Sequence, residues 1–199
     1  MNSPFTLKAF VLLLFSLAHE PLSGDETKPF QGRLHTTKPF QGRLHTIPGL
    51  IEAEHWDEGA ADVAYSDVDE VNKGEPYREK TQVDIEKRSD ASNGHGIGWT
   101  KSGEWLIYTV EVKESGTYDI QMPVASNKQG GTFRIEINGT DLTGEITVPD
   151  TGGWQTLKMI THKSVKLTAG THKMKVVMIK SGESGSIGDI DYFRFIRKS

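Results

Sequence analysis

A chain of 199 residues with 25% charged side chains has room for one domain of ordinary size, and its net charge of −4 leaves no basic surplus for gripping a polyanion. A nucleic-acid partner is therefore disfavoured on electrostatic grounds. The absence of cysteine excludes a disulfide framework, a thiolate metal centre and a cysteine nucleophile.

Near its start the chain carries Lys8 and then an apolar run from Ala9 to Phe15, closed by Leu17 and Ala18. The run is too short to span a bilayer, and Ser16-Leu17-Ala18 has the small-x-small form that signal peptidase accepts. Residues 1–24 accordingly read as a secretory signal, cleaved between Ala18 and Gly24, and the mature protein as extracellular; an uncleaved membrane anchor or a buried helix is the other reading. The decapeptide TKPFQGRLHT then occurs twice, as Thr27–Thr36 and Thr37–Thr46. Its period is too short for a solenoid unit and two copies cannot stack into a core, which makes residues 25–46 a duplicated linker. Pro29 and Pro39 disfavour helix. The first copy reads as a tether, and the second, running straight into Ile47-Pro48-Gly49, as the edge of a module over 47–199.

From Leu50 to Arg197 the pattern is one of short strands and turns, with no amphipathic helix. Between Glu58 and Asn93 lies a long acidic segment with two apolar patches, Val63–Tyr65 and Val83–Ile85, placed by its length at one end or rim of the domain. The stretch GHGIGWTKSGEWLIYTVEV, Gly94–Val112, starts as a glycine-rich loop carrying Trp99. It ends as a strand in which Leu106, Tyr108, Val110 and Val112 alternate with Trp105, Ile107, Thr109 and Glu111. Further alternation predicts strands at Tyr118–Val124, Phe133–Ile137, Gln155–Thr161, Ser164–Leu167, His172–Met178 and Ile190–Ile196, with a short run at Glu145–Val148. Asn138-Gly139 marks a tight turn. Many short strands with turns every eight to twelve residues predict an all-β fold, an antiparallel β-sandwich of the jelly-roll kind.

The residues offer little for catalysis. There is no GxSxG, HExxH or Walker loop, no carboxylate pair is singled out by a motif, and His55, His95, His162 and His172 lack ligand spacing. Asp67, Asp69 and Asn72 resemble the start of an acidic metal loop, but Val71 and Arg78 stand where an EF-hand needs its fifth and twelfth ligands. Glu52 and Glu54, two apart on a predicted strand, share a face. They read either as cation ligands or as a solvated pair. Trp99 and Trp154 both follow glycines at loop-to-strand junctions. Two such indoles facing one another would make a slot for a pyranose ring, whose axial C–H face packs on aromatic rings. Burial of both in the core is the other reading the residues allow.

The order IEAE (Ile51–Glu54), GIGWTKSGEWLIYTVEV (Gly96–Val112), VPDTGGWQT (Val148–Thr156) and GDIDYFRF (Gly188–Phe195) resembles family 6 carbohydrate-binding modules, non-catalytic β-sandwich domains attached to secreted polysaccharide-degrading enzymes. The likeness covers about Ile47–Phe195. It implies a sugar site in loops at one edge of the sandwich, with Trp99 and Trp154 as the clasping aromatics and Glu86 as a carboxylate accepting sugar hydroxyls. Asp189 stands where the family usually has asparagine. A carboxylate accepts hydrogen bonds but does not donate them as an amide does. The likeness also implies a structural calcium ion held by Glu52, Glu54 and Asp191, with a backbone carbonyl near His95. The acidic segment looks like the longer form of the module found beside agarases and laminarinases, with Tyr77 and Arg78 as possible extra wall residues. The expectation is a secreted, calcium-stabilised module that binds agarose, laminarin or another β-glucan, or xylan, without cleaving it, and that targets an associated glycoside hydrolase. A small secreted glycoside hydrolase or lyase, and a surface adhesion domain with a decayed sugar site, are the alternatives.

Overall fold

The strands of the computed structural model, which describes residues 36–199, are β1 (His45–Ile47), β2 (Gly49–Glu52), β3 (Tyr65–Ser66), β4 (Ile85–Lys87), β5 (His95–Ile97), β6 (Trp105–Val112), β7 (Gly116–Ser126), β8 (Thr132–Ile137), β9 (Thr140–Asp141), β10 (Ile146–Thr147), β11 (Gly153–Leu167), β12 (Gly170–Lys180), β13 (Asp189–Ile190) and β14 (Tyr192–Arg197). The expected signal and the first repeat copy through His35 lie outside the described residues. Among the described residues the only helical elements are 3-10 turns at Phe40–Gly42 and Pro76–Arg78, and no helix is long and apolar enough to cross a membrane.

Two seven-stranded sheets result. One runs β1-β6-β12-β8-β10, with β3 on β6 and β9 on β8; the other runs β2-β14-β7-β13-β5-β4, with β11 on β7. Every strand pair is antiparallel except β1 on β6. The architecture is the expected jelly-roll β-sandwich. Its cause is the period-two pattern: Leu106, Tyr108, Val110 and Val112 on β6 and Met174, Val176 and Met178 on β12 all point inward. They meet Tyr118, Ile120, Met122 and Val124 of β7 and Phe193 and Phe195 of β14 across a single core. The Tyr108 and Phe193 rings cross edge-on at 5.9 Å, and the Tyr108 hydroxyl donates to the Ala53 carbonyl at 2.6 Å. Each large side chain buried this way contributes about 1.5–3 kcal/mol. Asn138 (φ 50°) and Gly139 (φ 78°) form the tight turn between β8 and β9.

Four expectations shift. Gln155–Thr161 and Ser164–Leu167 are one strand, β11, carried past a register shift between His162 and Val165 where Ser164 takes φ 66°. The last predicted strand is split at Asp191, whose carboxylate accepts from the Ser92 backbone N–H at 3.1 Å and from its hydroxyl at 3.0 Å. The acidic segment is not confined to a rim: Ala64, Tyr65, Val83 and Ile85 are core residues and β4 joins the second sheet. Its apolar runs are simply too short to show a period. Finally, the second repeat copy is not linker. Lys38 and Glu58 exchange both backbone hydrogen bonds, Phe40 stacks on His55 at 4.2 Å, and β1 takes its first two residues from this copy. The decapeptide has little hydrophobicity of its own, so only these partners reveal that it is ordered.

Candidate functional site

Trp99 follows β5 and sits with φ 49°, a left-handed conformation that an indole-bearing residue rarely takes. It is 43% exposed. Its loop is clamped on the far side, where the Thr100 hydroxyl donates to the Gly188 carbonyl at 2.6 Å and the Ile187 N–H donates to the Thr100 carbonyl at 2.7 Å. Gly98 allows the close approach: a Cβ there would lie 3.2 Å from Asp189 Oδ1. Trp154, the second residue of β11, is half-buried. The Thr151 hydroxyl, accepting from the Ser126 N–H at 2.9 Å, anchors the turn before it. Both indoles line one cavity of about 350 Å³, together with Glu86, Lys101, Ser184–Ser186 and Asp189. That volume suits a small ligand. Neither tryptophan belongs to the core, which settles the alternative the residues left open.

Behind the cavity stands a residue that the sequence did not single out. The Arg88 side chain is fully buried; its Nη1 donates to Glu86 Oε2 at 2.7 Å and to Asp189 Oδ2 at 2.8 Å, and Nη2 and Nε each reach an Asp90 oxygen at 3.0 Å. A planar guanidinium with five donors in a fixed fork can serve several carboxylates at once. Glu86 is further held by Gln155, whose Nε2 donates at 2.6 Å. Burial, and next to it the Glu86 charge, push the Asp189 carboxyl up to about 8 against the pull of Arg88. One guanidinium shared by three carboxylates does not neutralise them all, and burial favours the protonated form of Asp189. A protonated Asp189 can donate, as the asparagine usual at this position would. The sequence signal for Arg88 was faint: a basic residue flanked two positions away by Glu86 and Asp90.

The remaining expected site residues are elsewhere. Tyr77 does not line the cavity: its hydroxyl is 2.8 Å from His55 Nε2 and its ring lies 4.5 Å from that of His95. Arg78 is likewise structural, donating to the carbonyls of Trp56 (2.5 Å) and Asp57 (3.3 Å) while covering the Trp56 ring at 3.9 Å. Glu52, Glu54 and Asp191 converge on Ser92-Asn93. The Ser92 hydroxyl donates to Glu52 Oε2 at 2.7 Å, and Asn93 Nδ2 donates to Glu54 Oε1. Burial, reinforced by Glu52 and Asp191, pushes the Glu54 carboxyl up to about 7; burial also raises Glu52 and Asp191. His55, 3.7 Å from Glu54, is pushed down to about 4 by burial and by His45, so it offers no positive charge near neutrality. The His95 ring faces Tyr77. A third group, Asp67, Asp69 and Glu104, brings its carboxylate oxygens within 4.8 Å of one another, but Lys73 and Lys101 both bind Asp69.

Comparison with known proteins agrees with this fold. Residues 73–197 match the model of the carbohydrate binding module (family 6). The chain is 32% identical over 106 residues to the clotting factor G alpha subunit of Tachypleus tridentatus, a stretch that covers 52% of this chain but only 16% of that protein. Among solved structures, the C-terminal family 6 module of a marine laminarinase from Zobellia galactanivorans is 28% identical (TM-score 0.57), covering 75% of this chain and 98% of that one. A β-1,3-glucan binding family 6 module from Bacillus halodurans is 26% identical (TM-score 0.58), with 77% and 98% covered. With its sandwich, its edge-loop cavity and a family match over most of its length, this chain belongs to family 6 of the carbohydrate-binding modules.

Proposed function

We propose that the protein binds β-linked glucan, with β-1,3-glucan the first candidate, in the cavity walled by Trp99 and Trp154, and that it does so without cleaving the chain. The observation that carries this reading is the placement of both exposed or half-exposed indoles in one cavity beside Glu86 and Asp189. The indole faces would take the C–H face of a pyranose, and the carboxyls would accept its hydroxyls. The choice of β-1,3-glucan is supported by the β-1,3-glucan binding of the Bacillus halodurans module and by the laminarinase origin of the Zobellia one. An exported module of this kind would hold an associated glycoside hydrolase near its substrate by raising local concentration.

Calcium belongs to the same reading. Glu52, Glu54 and Asp191 supply the all-oxygen donor set that a hard divalent cation takes, and Glu54 Oε2 is buried without a hydrogen-bond partner. A cation there would neutralise a crowded acidic cluster and tie the end of β2 to the start of β14.

Affinity electrophoresis through laminarin, mixed β-glucan, xylan and agarose tests the binding. Trp99→Ala and Trp154→Ala should each lose about 1–3 kcal/mol of affinity, by analogy with planar rings stacked on aromatics. Equal mobility of wild type and both variants in every gel would remove the cavity's role. Release of reducing sugar by the wild type, abolished by a single carboxylate substitution, would favour a hydrolase instead.

A further inference from the structure

The charges around the cavity are lopsided, and this bears on which glycans it takes. All three guanidinium nitrogens of Arg88 bond Glu86, Asp90 or Asp189 and its side chain is fully buried, so it cannot reach a ligand. Among the described residues the cation lining the cavity is Lys101; its Nζ lies 2.7 and 2.9 Å from the two oxygens of Asp69, in a group where the carboxylates Asp67, Asp69 and Glu104 outnumber the lysines Lys73 and Lys101. Three carboxyls on one guanidinium leave a net charge of −2 when all are ionised and −1 when one keeps its proton. Either way the field in the cavity is negative, and the two indole faces reinforce it, since an aromatic quadrupole also attracts cations.

We infer that the cavity sorts glycans by charge, admitting neutral sugars, rejecting sugars that carry carboxylate or sulfate, and holding sugars with a free amine most tightly, through the Glu86–Arg88–Asp90–Asp189 cluster. The inference rests on the glycan-binding reading above and names the substrate class of that site. A uronate ring stacked on Trp99 and Trp154 would bring its charge toward Glu86 and Asp189, where the lining among the described residues offers only the Asp69-bound Lys101 to receive it. An ammonium in the same place would meet two carboxyls and two π-faces.

Titration calorimetry with three matched series, β-linked oligomers of glucose, of glucosamine and of glucuronic acid, reads this directly. Glucosamine oligomers should bind about three- to tenfold more tightly than glucose oligomers, and glucuronic acid oligomers about tenfold or more weakly, in low salt. The spread should shrink in about 0.5 M salt, because screening removes the charge term and leaves stacking. Asp189→Asn should compress the glucosamine-to-glucuronate ratio, whereas a merely structural loss would lower all three affinities together. Equal affinity for the three series, tighter binding of glucuronate, or a spread unmoved by salt would overturn the charge sorting while leaving glycan binding intact. Absence of binding to any series, glucose included, would instead overturn the glycan reading and this inference with it.

Discussion

Two acidic clusters lie next to each other in this molecule, one holding Asp189 and the other Asp191, and they are resolved in opposite ways. In the first, Glu86, Asp90 and Asp189 surround a fully buried guanidinium. In the second, Glu52, Glu54 and Asp191 accept from Ser92 and Asn93, and among the described residues no lysine or arginine comes within ion-pair distance. An arginine fixes carboxylates in place while leaving residual charge, which suits a surface presented to a ligand. Carboxylates crowded without a cationic side chain are costly unless they hold protons or a metal ion. The difference is what the proposed division asks for, with the first cluster facing a ligand and the second holding a cation.

Removing the guanidinium should break that contrast most severely. Arg88→Met leaves three carboxylates facing one another in a buried site, and we expect a loss of about 3–5 kcal/mol in urea unfolding, partly recovered when Glu86→Gln is added. Recovery from Glu86→Gln alone in the wild-type background would show that Arg88 was not compensating it. On the other side, calcium at one hundred times its dissociation constant should add about 2.7 kcal/mol, hence a melting temperature higher by about 5–10 °C than in chelator, with the difference absent in Glu54→Gln. An identical melting curve with calcium and with chelator would end the cation assignment.

Glu104 sharpens the comparison as a carboxyl with neither solution. Burial pushes it from 4.5 up to about 7, with the nearby Asp67 charge adding to the shift. Because the folded state binds this proton more tightly than the unfolded chain, stability is greatest below pH 4.5 for this group and falls as pH rises from there through about 7, by on the order of 3 kcal/mol. Glu104→Gln should flatten that stretch of the stability profile; an unchanged slope would mean that other groups set it. The smallest effect is expected at Tyr77. Tyr77→Ala should cost about 1 kcal/mol of stability through its lost stack and hydrogen bond, with glycan affinity unchanged, and a loss of affinity would extend the binding surface to this side.

Much of the fold was legible beforehand because a strand half-buried in a sandwich must alternate. The runs on β6, β7, β8 and β12 show this over enough residues to be read. Of the candidate site, the two indoles were legible from their glycine-rich approaches, and Glu86 and Asp189 from the family likeness. Tyr77 was misplaced because an exposed aromatic in a polar segment looks the same whether its neighbour is a sugar or a histidine. The second repeat copy was placed at the module's edge but counted with the linker, because Phe40 finds its partners, His55 and Arg78, only after the chain has turned back on it.

What the sequence determined by itself was the sandwich, since period and turn chemistry are local properties that act wherever the chain lies. What only the tertiary structure decided was which charges share a partner. Arg88 and Asp189 are 101 residues apart, and their 2.8 Å contact exists because β13 lies between β5 and β7, with β4 on the far side of β5. Electrostatics depends on distance in space and on burial, and neither is written in the order of residues.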